Sequence, residues 1–548
     1  MKKNNSSHTT WLRILVITLL VMGVFFRLVN LDQKIFWGDE TVTLMRVSGY
    51  TWAEMDPQLY NGNELSIADF QKYQRINPDK NVIDIVTGLA AEEPQHPPLY
   101  YLLARLWVQW FGNSVAVLRS VSALLSLLVF PSLWWLCREL FDSSLPGWVA
   151  IAIIAVSPFH LLYAQEAREY SFWTATILLS SAALLRALRL KSKLSWIIYA
   201  ATVVLGLYTY LFSVFVVIAH GIYVIAIERR WSKTLKAYII TTFGGILVFA
   251  PWLYFIITNI SQINKTTSWS QETGWVIGGV GAKLSLLAKW VRNLTLVFLD
   301  ADKERRIIHF GFDNVFLYLI QLVFILFIVT LTIYSIYFLM SHAPKRAWLF
   351  ILTLIGVPAL ALMLPDLIFG GVRSVISRYM IPFYLGIQLA VAYTIAGKIS
   401  FYTNRQQRYL WQFIMVTLLS LGVISCAVNS NSQMWWSKSY HDYDAQMAHI
   451  INSSERPLLV CIGQLPSANA MPISYLLEPK VRLQLVLEPN LPKISENFSN
   501  VFLYRPVEQF LRKFKKQDKY RLEPVYEYNK NWLGQTESGV LLWELKKM

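Results

Sequence analysis

Apolar residues recur along this chain in runs of roughly 17–25 positions, each long enough to cross a bilayer as a helix, and short polar loops separate most of them. The runs fall at about 11–29, 114–137, 147–164, 170–188, 195–211, 213–228, 236–258, 314–340, 347–369, 379–398 and 409–429. They are apolar all round rather than striped along one face, as expected of helices in lipid rather than on a soluble core. The stretch from 195 to 227 is too long for one crossing and divides at Tyr208-Thr209-Tyr210, as a tight hairpin.

One shorter segment decides the topology. His96-Pro97-Pro98 leads into 99–111, where Leu99, Leu102, Leu103, Leu106 and Trp110 fall at helical spacing with Arg105 and Gln109 elsewhere. This predicts an amphipathic helix lying in the membrane interface. If it does not cross, the basic loops around Arg186–Lys193, Arg229–Lys236, Lys345-Arg346 and 398–408 all face the cytoplasm, as the positive-inside rule requires. Counting it as a span would put all four outside. Eleven spans then leave the N-terminus cytoplasmic. They expose 30–113, the 164–169 turn, the Tyr208 hairpin, 259–313, 370–378 and everything after about 430 on the outer face. Met1-Lys2-Lys3 precedes the first run, and no small-x-small site follows Phe26, so this run reads as a retained signal anchor.

Beyond 430 the period changes. Helix-like stretches at 442–451 and 507–516 alternate with short apolar runs at 458–462, 481–486, 501–504 and 540–543, which predicts a small α/β domain. The expected fold is therefore mainly α and polytopic. It has about 11 transmembrane helices, interfacial helices in the first outer loop (30–113) and a small C-terminal α/β extracytoplasmic domain. The predicted division is a transmembrane module at 1–429 and a soluble domain at 430–548.

Composition agrees. Of 548 residues 55% are hydrophobic and only 15% charged, where a soluble protein carries about a quarter, and the mean hydropathy is +0.40. The formal charge of +16 lies largely in the loops that orient helices, so it does not point to nucleic acid. Three cysteines show neither metal-like spacing nor a disulfide framework.

The candidate chemistry gathers on the outer side. Asp39 and Glu40 follow the first span; Glu92, Glu93 and His96 precede the interfacial helix; Gln165, Glu166, Arg168, Glu169 and Tyr170 join two spans; Arg373 and Arg378-Tyr379 open the tenth. Each has a structural alternative. Asp39 can cap the following helix, Glu92 and Glu93 can form a solvated acidic turn, and His96 can shape the turn before Pro-Pro. Arg373 can snorkel to lipid phosphate, and Tyr and Trp can be interfacial anchors. The clustering favours function.

Several motifs extend this set: Arg27-Leu28-Val29-Asn30-Leu31, Trp37-Gly38-Asp39-Glu40-Thr41, His96-Pro97-Pro98-Leu99-Tyr100-Tyr101, Phe111-Gly112 with Arg119, Gln165-Glu166-Ala167-Arg168 with Tyr170, Leu207-Tyr208-Thr209-Tyr210, and Ser377-Arg378-Tyr379 with Pro382. Over roughly residues 10–400 the chain resembles the GT-C-type membrane glycosyltransferases, the clan of protein O-mannosyltransferases and the lipid A aminoarabinose and galacturonic acid transferases. The resemblance implies a polyprenyl-phosphate-linked sugar donor and transfer to a hydroxyl on the non-cytoplasmic face of the plasma (inner) membrane. The acceptor is a glycolipid, a glycan or a protein. It implies Asp39 as catalytic base and Glu40 as its partner, contacting the acceptor or structuring the loop. Arg168 and Arg378 would take the donor phosphate, and His96, Tyr100, Glu166, Tyr170, Tyr208 and Tyr379 complete the substrate-binding set. His96 stands where the aminoarabinose branch has lysine, and Val42-Thr43 where it has Arg-Tyr, which points away from that sugar. No cofactor is expected. A divalent metal on Asp39, Glu40, Glu92 and His96 is the less favoured alternative, because arginine alone can neutralise a monophosphate. The rival class is a transporter or flippase of lipid-linked sugars, which should show internal repeats and polar residues at mid-bilayer.

Overall fold

The computed structural model describes residues 5–270, 280–300, 314–400, 404–433, 435, 443–463, 466–488, 490–515, 520–532 and 535–547. Parts of the predicted outer stretch 259–313 (271–279 and 301–313), Asp442 and Lys516 lie outside these residues. Contacts divide the chain into two compact units. The first comprises Met1–Leu31, Glu93–Tyr100 and Arg119–Ser432; the second comprises Asp32–Glu92, Tyr101–Leu118 and Gln433–Met548.

Among the described residues eight helices are long and apolar enough to cross a membrane: Trp11–Leu28, Val115–Leu140, Tyr170–Leu190, Lys233–Thr258, Leu319–His342, Lys345–Phe369, Ser377–Ser400 and Arg405–Ser430. A ninth candidate is a pair, Leu145–Ala155 and Pro158–Ala164, bent by 62°; Lys193–Thr209 and Ser213–Glu228 are apolar but shorter. All eleven predicted runs thus fall on helices, and the Tyr208 split coincides with the end of one of them at Thr209.

The bend has a sequence cause. Pro158 has no N–H to continue the ladder, which leaves the last carbonyls before it without helical partners. Arg27 fills that gap: Nη1 donates to Ala155 O at 2.9 Å and Nη2 to Ile154 O at 3.1 Å, while Nη1 also reaches Gly23 O at 2.7 Å. Two glycines let neighbouring helices close on the same spot. A Cβ on Gly23 would lie 2.5 Å from Ala155 O, and one on Gly422 would lie 2.6 Å from Val156 O. A guanidinium buried to this depth is a hydrogen-bonded strut, and the opening arginine of the first motif has this structural role.

The second unit is built on a six-stranded sheet of β1 (Leu65–Ser66), β2 (Pro457–Gly463), β3 (Arg482–Leu487), β4 (Asn500–Tyr504), β5 (Tyr520–Trp532) and β6 (Gln535–Lys547), in the order β1-β3-β2-β4-β6-β5. β2 pairs in parallel with β3 and β4, and the remaining pairs are antiparallel. Every apolar run predicted beyond 430 is on a strand. Leu458, Val460 and Ile462 serve a core on one face with Phe510 and Phe514; Leu459 and Cys461 serve the other, with Met447, Ile451, Phe70 and Leu59. Burial on both faces explains why the central strands read as continuous apolar runs. The two-residue β1 comes from the stretch 30–113, a contribution the sequence pattern did not disclose.

Candidate active site

Within the first unit the site is built upward from Ser122. Its hydroxyl donates to Arg168 O at 3.0 Å, so its hydrogen is committed and Tyr100 Oη, 2.7 Å away, must be the donor to Ser122 Oγ. Ser171 Oγ donates in turn to Ser122 O at 2.9 Å. Three buried hydroxyls thereby fix the backbone of the Arg168–Ser171 turn against the segment that follows His96-Pro97-Pro98. Trp252 Nε1 holds the start of that segment by donating to Pro94 O at 3.0 Å.

On this frame His96, Arg168 and Glu169 meet. His96 Nδ1 lies 3.1 Å from Glu169 Oε1. Arg168 Nη2 lies 3.3 Å from His96 Nε2, and Arg168 Nε lies 3.4 Å from Glu169 Oε2. Arg168 Nη2 also lies 3.2 Å from His96 Nδ1, so the guanidinium and the Glu169 carboxylate both border the imidazole. Glu169 is buried. Desolvation works against its ionisation, but the Arg168 charge and the His96 hydrogen bond outweigh it and hold the carboxyl down at about 2.

A second cation arrives from the other end of the unit's sequence. The Arg168 and Arg378 guanidiniums lie 5.7 and 5.5 Å from the centroid of one ring, Tyr170, and Arg378 is also 5.4 Å from Tyr379. Tyr163 Oη meets Ser377 Oγ at 2.9 Å, next to Arg378. Aromatic edges continue the wall, with Tyr170 to Tyr210 at 5.6 Å and Phe212 to Tyr379 at 4.8 Å between centroids. Two like charges over one ring repel each other, and cation–π attraction returns only about 0.5–2 kcal/mol each.

The segment that carries Arg378 is held firmly. Buried Asp366 accepts from Arg373 Nε at 3.1 Å, Ser374 N at 2.6 Å and Ser374 Oγ at 2.7 Å. Trp290 Nε1 donates to Ser374 Oγ at 2.9 Å and Asn293 Nδ2 to Val375 O at 2.7 Å. Gly371, at φ +118°, leaves room there, since a Cβ would lie 2.9 Å from Asp366 Oδ1. Arg373 therefore has a carboxylate partner within the unit, where the sequence offered lipid phosphate as the alternative.

Asp39 and Glu40 belong to the second unit. They occupy the first turn of the helix Gly38–Val47, after Trp37, which makes no side-chain cap. Asp39 thus stands inside the turn rather than at the capping position the sequence allowed. Glu40 is fully buried and Asp39 partly so. This helix is anchored at both ends. Ahead of it Ile35 N donates to Gln433 O at 3.0 Å, Trp435 Nε1 donates to Ile35 O at 2.8 Å, and Phe36 meets Tyr475 edge-on at 4.9 Å. Behind it Arg105 Nη1 donates to Val47 O at 2.9 Å, and buried Arg46 pairs with Glu92 at 2.6 Å. The Glu92 carboxylate also accepts from Trp52 N at 2.9 Å and Ala53 N at 3.0 Å, capping the helix Trp52–Leu59. Glu92 is a structural carboxylate, which corrects its reading as a solvated turn.

Residues 95–255 match the dolichyl-phosphate-mannose-protein mannosyltransferase family. The match supports a GT-C-type membrane glycosyltransferase, as the sequence resemblance implies. The matched segment contains His96, Tyr100, Glu166, Arg168, Tyr170 and Tyr208, while Asp39 and Arg378 lie outside it. Among solved structures, ArnT from Cupriavidus metallidurans bound to undecaprenyl phosphate is similar over 98% of this chain and 98% of its own, at 12% identity and a TM-score of 0.49. Archaeal oligosaccharyltransferase AglB from Archaeoglobus fulgidus, in complex with an inhibitory peptide and a dolichol-phosphate, is similar over 97% of this chain and 74% of its own, at 11% identity and a TM-score of 0.49. At such identities neither assigns a residue here. No curated protein sequence matches the chain.

Of the predicted substrate residues, the first unit brings together His96, Arg168, Tyr170, Arg378 and Tyr379. Glu166 is buried in the same turn. Tyr100 positions the Arg168 backbone through Ser122. Tyr208 is directed elsewhere: its Oη donates to Val248 O at 2.9 Å on the helix Lys233–Thr258. Tyr210, two residues on and past the helix end, reaches the Tyr170 wall instead. Glu169 was in the candidate cluster and Tyr210 in a motif, but neither was assigned to the substrate-binding set, and Tyr163 was not singled out. The usable signal was the helix stop at 209, because an extended residue after a helix turns its side chain away from the preceding face. Among the described residues no three His, Cys, Asp or Glu side chains are grouped so as to hold a metal ion.

Proposed function

We propose that this chain transfers a sugar from a polyprenyl-phosphate-linked donor to an acceptor hydroxyl on the outer face of the membrane, with inversion at the anomeric carbon. The observation that carries the reading is the convergence of Arg168 and Arg378 on Tyr170. Both cations stand beside the same largely buried aromatic ring, and planar guanidinium matches phosphate oxygens bidentately. A phosphate monoester on a lipid supplies that anion. Its methylenes add affinity of about 0.8 kcal/mol each where they are buried.

In this reading the acceptor oxygen attacks the anomeric carbon as the bond from that carbon to the phosphate oxygen breaks. The electron pair leaves with polyprenyl phosphate, whose growing charge Arg168 and Arg378 stabilise. The acceptor proton passes to Asp39, and a general base of this kind contributes about 10²–10⁴-fold. The Glu169–His96 contact keeps the Arg168 guanidinium in one orientation and offsets part of its charge when the donor is absent. The acceptor, a glycolipid, glycan or protein, attacks from the extracytoplasmic side, with the N-terminus cytoplasmic.

The test is transfer by the purified full chain, using extracted lipids and a panel of polyprenyl-phosphate sugars. The expected result is acceptor-dependent release of polyprenyl phosphate from one donor class. Transbilayer movement of such donors without hydrolysis or transfer would assign the chain to a flippase instead.

A further inference from the structure

The second unit exposes large apolar side chains on two helices. Leu106, Trp110 and Phe111 stand out from the helix Leu99–Phe111, with Trp110 77% exposed. Val82 and Ile83 open the helix Val82–Glu92, and Ile83 is 67% exposed. Scattered apolar residues are ordinary on a protein surface, whereas a set gathered in one place marks an interaction site. These two groups are held together by Arg105, the neighbour of Leu106. Its Nη2 donates to Lys80 O at 2.8 Å and Asn77 O at 3.1 Å, which ties the residues just ahead of Val82 to the other helix.

The exposure of Val82 and Ile83 is built in. Ile83 N donates to Asn81 Oδ1 at 2.7 Å and Asn81 N to Asp84 Oδ2 at 2.7 Å, so this turn is stiff. The adjacent cation, Lys80, is paired with Glu54. What covers the surface follows from the chain. Phe111 is four residues from Val115, where a membrane-crossing helix of 26 residues begins. Its Cα therefore lies within about 14 Å of the first residue of that span. Only about 20 residues are needed to cross the hydrocarbon, so the start of the span stands at headgroup depth and the patch with it. The Trp107 and Phe111 rings, 4.3 Å apart, are of the types that settle at that depth.

We propose that the first turn of the helix Val82–Glu92 enters the lipid interface beside the helix Leu99–Phe111, so that the second unit rests on the membrane through both. The partner is the lipid surface itself, at the boundary of headgroups and acyl chains. The apolar pattern of residues 99–111 announced one such helix; the Val82–Ile83 turn is a second contact that its own short apolar pair did not announce. The seating reaches the helix that carries Asp39, because Arg105 Nη1 also donates to Val47 O at that helix's last residue. Lipid contact at these two places thereby sets the depth of Asp39. The seating is independent of the transfer reading, since it is measured without any donor.

The test is spin-label accessibility in the full-length protein, reconstituted in nanodiscs of dioleoylphosphatidylcholine. The three native cysteines are buried, so an introduced cysteine takes the label selectively. Ile83→Cys and Val82→Cys report the turn and Trp110→Cys the neighbouring helix. Phe243→Cys, exposed on the helix Lys233–Thr258, is the lipid reference, and exposed Lys480→Cys in the second unit is the water reference. Labels at Ile83, Val82 and Trp110 should favour collision with oxygen over a water-soluble nickel chelate several-fold more than the Lys480 label, approaching the Phe243 value. A water-like ratio at Ile83 and Val82 would overturn the proposal even if Trp110 remained lipid-like. Low accessibility of the turn to both reagents would show protein cover, such as a second copy, and overturn it equally.

Discussion

Glu169 Oε1 lies 3.1 Å from His96 Nδ1, joining two segments 73 residues apart. Because Arg168 contacts both partners, this one carboxylate helps fix where its guanidinium points. Its held-down carboxyl, at about 2 against an ordinary 4.5, makes the contact pH-sensitive. A carboxyl whose folded value is depressed contributes fully above its unfolded value, and the contribution is lost as pH falls from about 4.5 towards 2. Glu169→Gln should therefore lower Tm by a constant amount above pH 5. Melting curves of the two proteins should converge on acidification. A gap that stays constant down to pH 2.5 would refute the assignment.

Asp39→Asn should leave the protein folded and remove transfer. The substitution keeps size and replaces a charge in a first helical turn, where a carboxylate stabilises by only about 0.3–1 kcal/mol. Turnover should drop by about 10²–10⁴-fold with donor affinity retained. Normal turnover by the variant would dismiss Asp39 as base.

Arg168→Lys and Arg378→Lys keep a positive charge but lose the fork that engages two phosphate oxygens. Each should cost on the order of 3 kcal/mol in transition-state stabilisation, about a hundredfold in kcat/KM. The loss should be measured with full donor and with the free polyprenyl phosphate as inhibitor. If the inhibitor still binds at wild-type affinity in both variants, phosphate is not their ligand.

Gly422→Ala should destabilise the first unit without touching any proposed substrate contact. The added methyl would stand 2.6 Å from Val156 O, backbone at the bend that Arg27 braces. Overpacking of this kind costs typically 1–3 kcal/mol. A lowered Tm with unchanged KM for donor is the expected pattern; an unchanged Tm would show that the two helices can separate freely.

Much of this architecture was legible from period and punctuation. Apolar runs of spanning length marked every long helix, and His96-Pro97-Pro98 marked the start of the helix Leu99–Phe111 at its observed bounds. Which of its faces is buried was less legible. Tyr100, Tyr101, Ala104, Arg105 and Val108 turn inward, while Leu106 and Trp110 are exposed, as a lipid-facing stripe requires. Arg105 defied its type because three carbonyls, of Val47, Asn77 and Lys80, receive its protons. Such partners lie 25 to 58 residues away, beyond any local pattern. The same kind of distance hid the Glu92–Arg46 pair, whereas Asp366 and Arg373 are near in sequence and meet across the turn at Gly370-Gly371. Arg168 and Arg378 stood out in the sequence because charge beside an apolar run is rare, and the fold brings both to Tyr170. Tyr210 was missed in favour of Tyr208 because one residue of helix end changes which neighbour a side chain meets.

The pairing of Leu65 with Leu483 sets an order on biogenesis. The ribosome releases the first of these residues long before the second, and most of the membrane helices must be inserted in between. Until the last strands emerge, the loop bearing Asp39 has no platform on which to settle. The segment bearing Asp39 can therefore settle only after synthesis is nearly complete, so a premature stop would leave inserted helices with an unpaired Leu65–Ser66 strand.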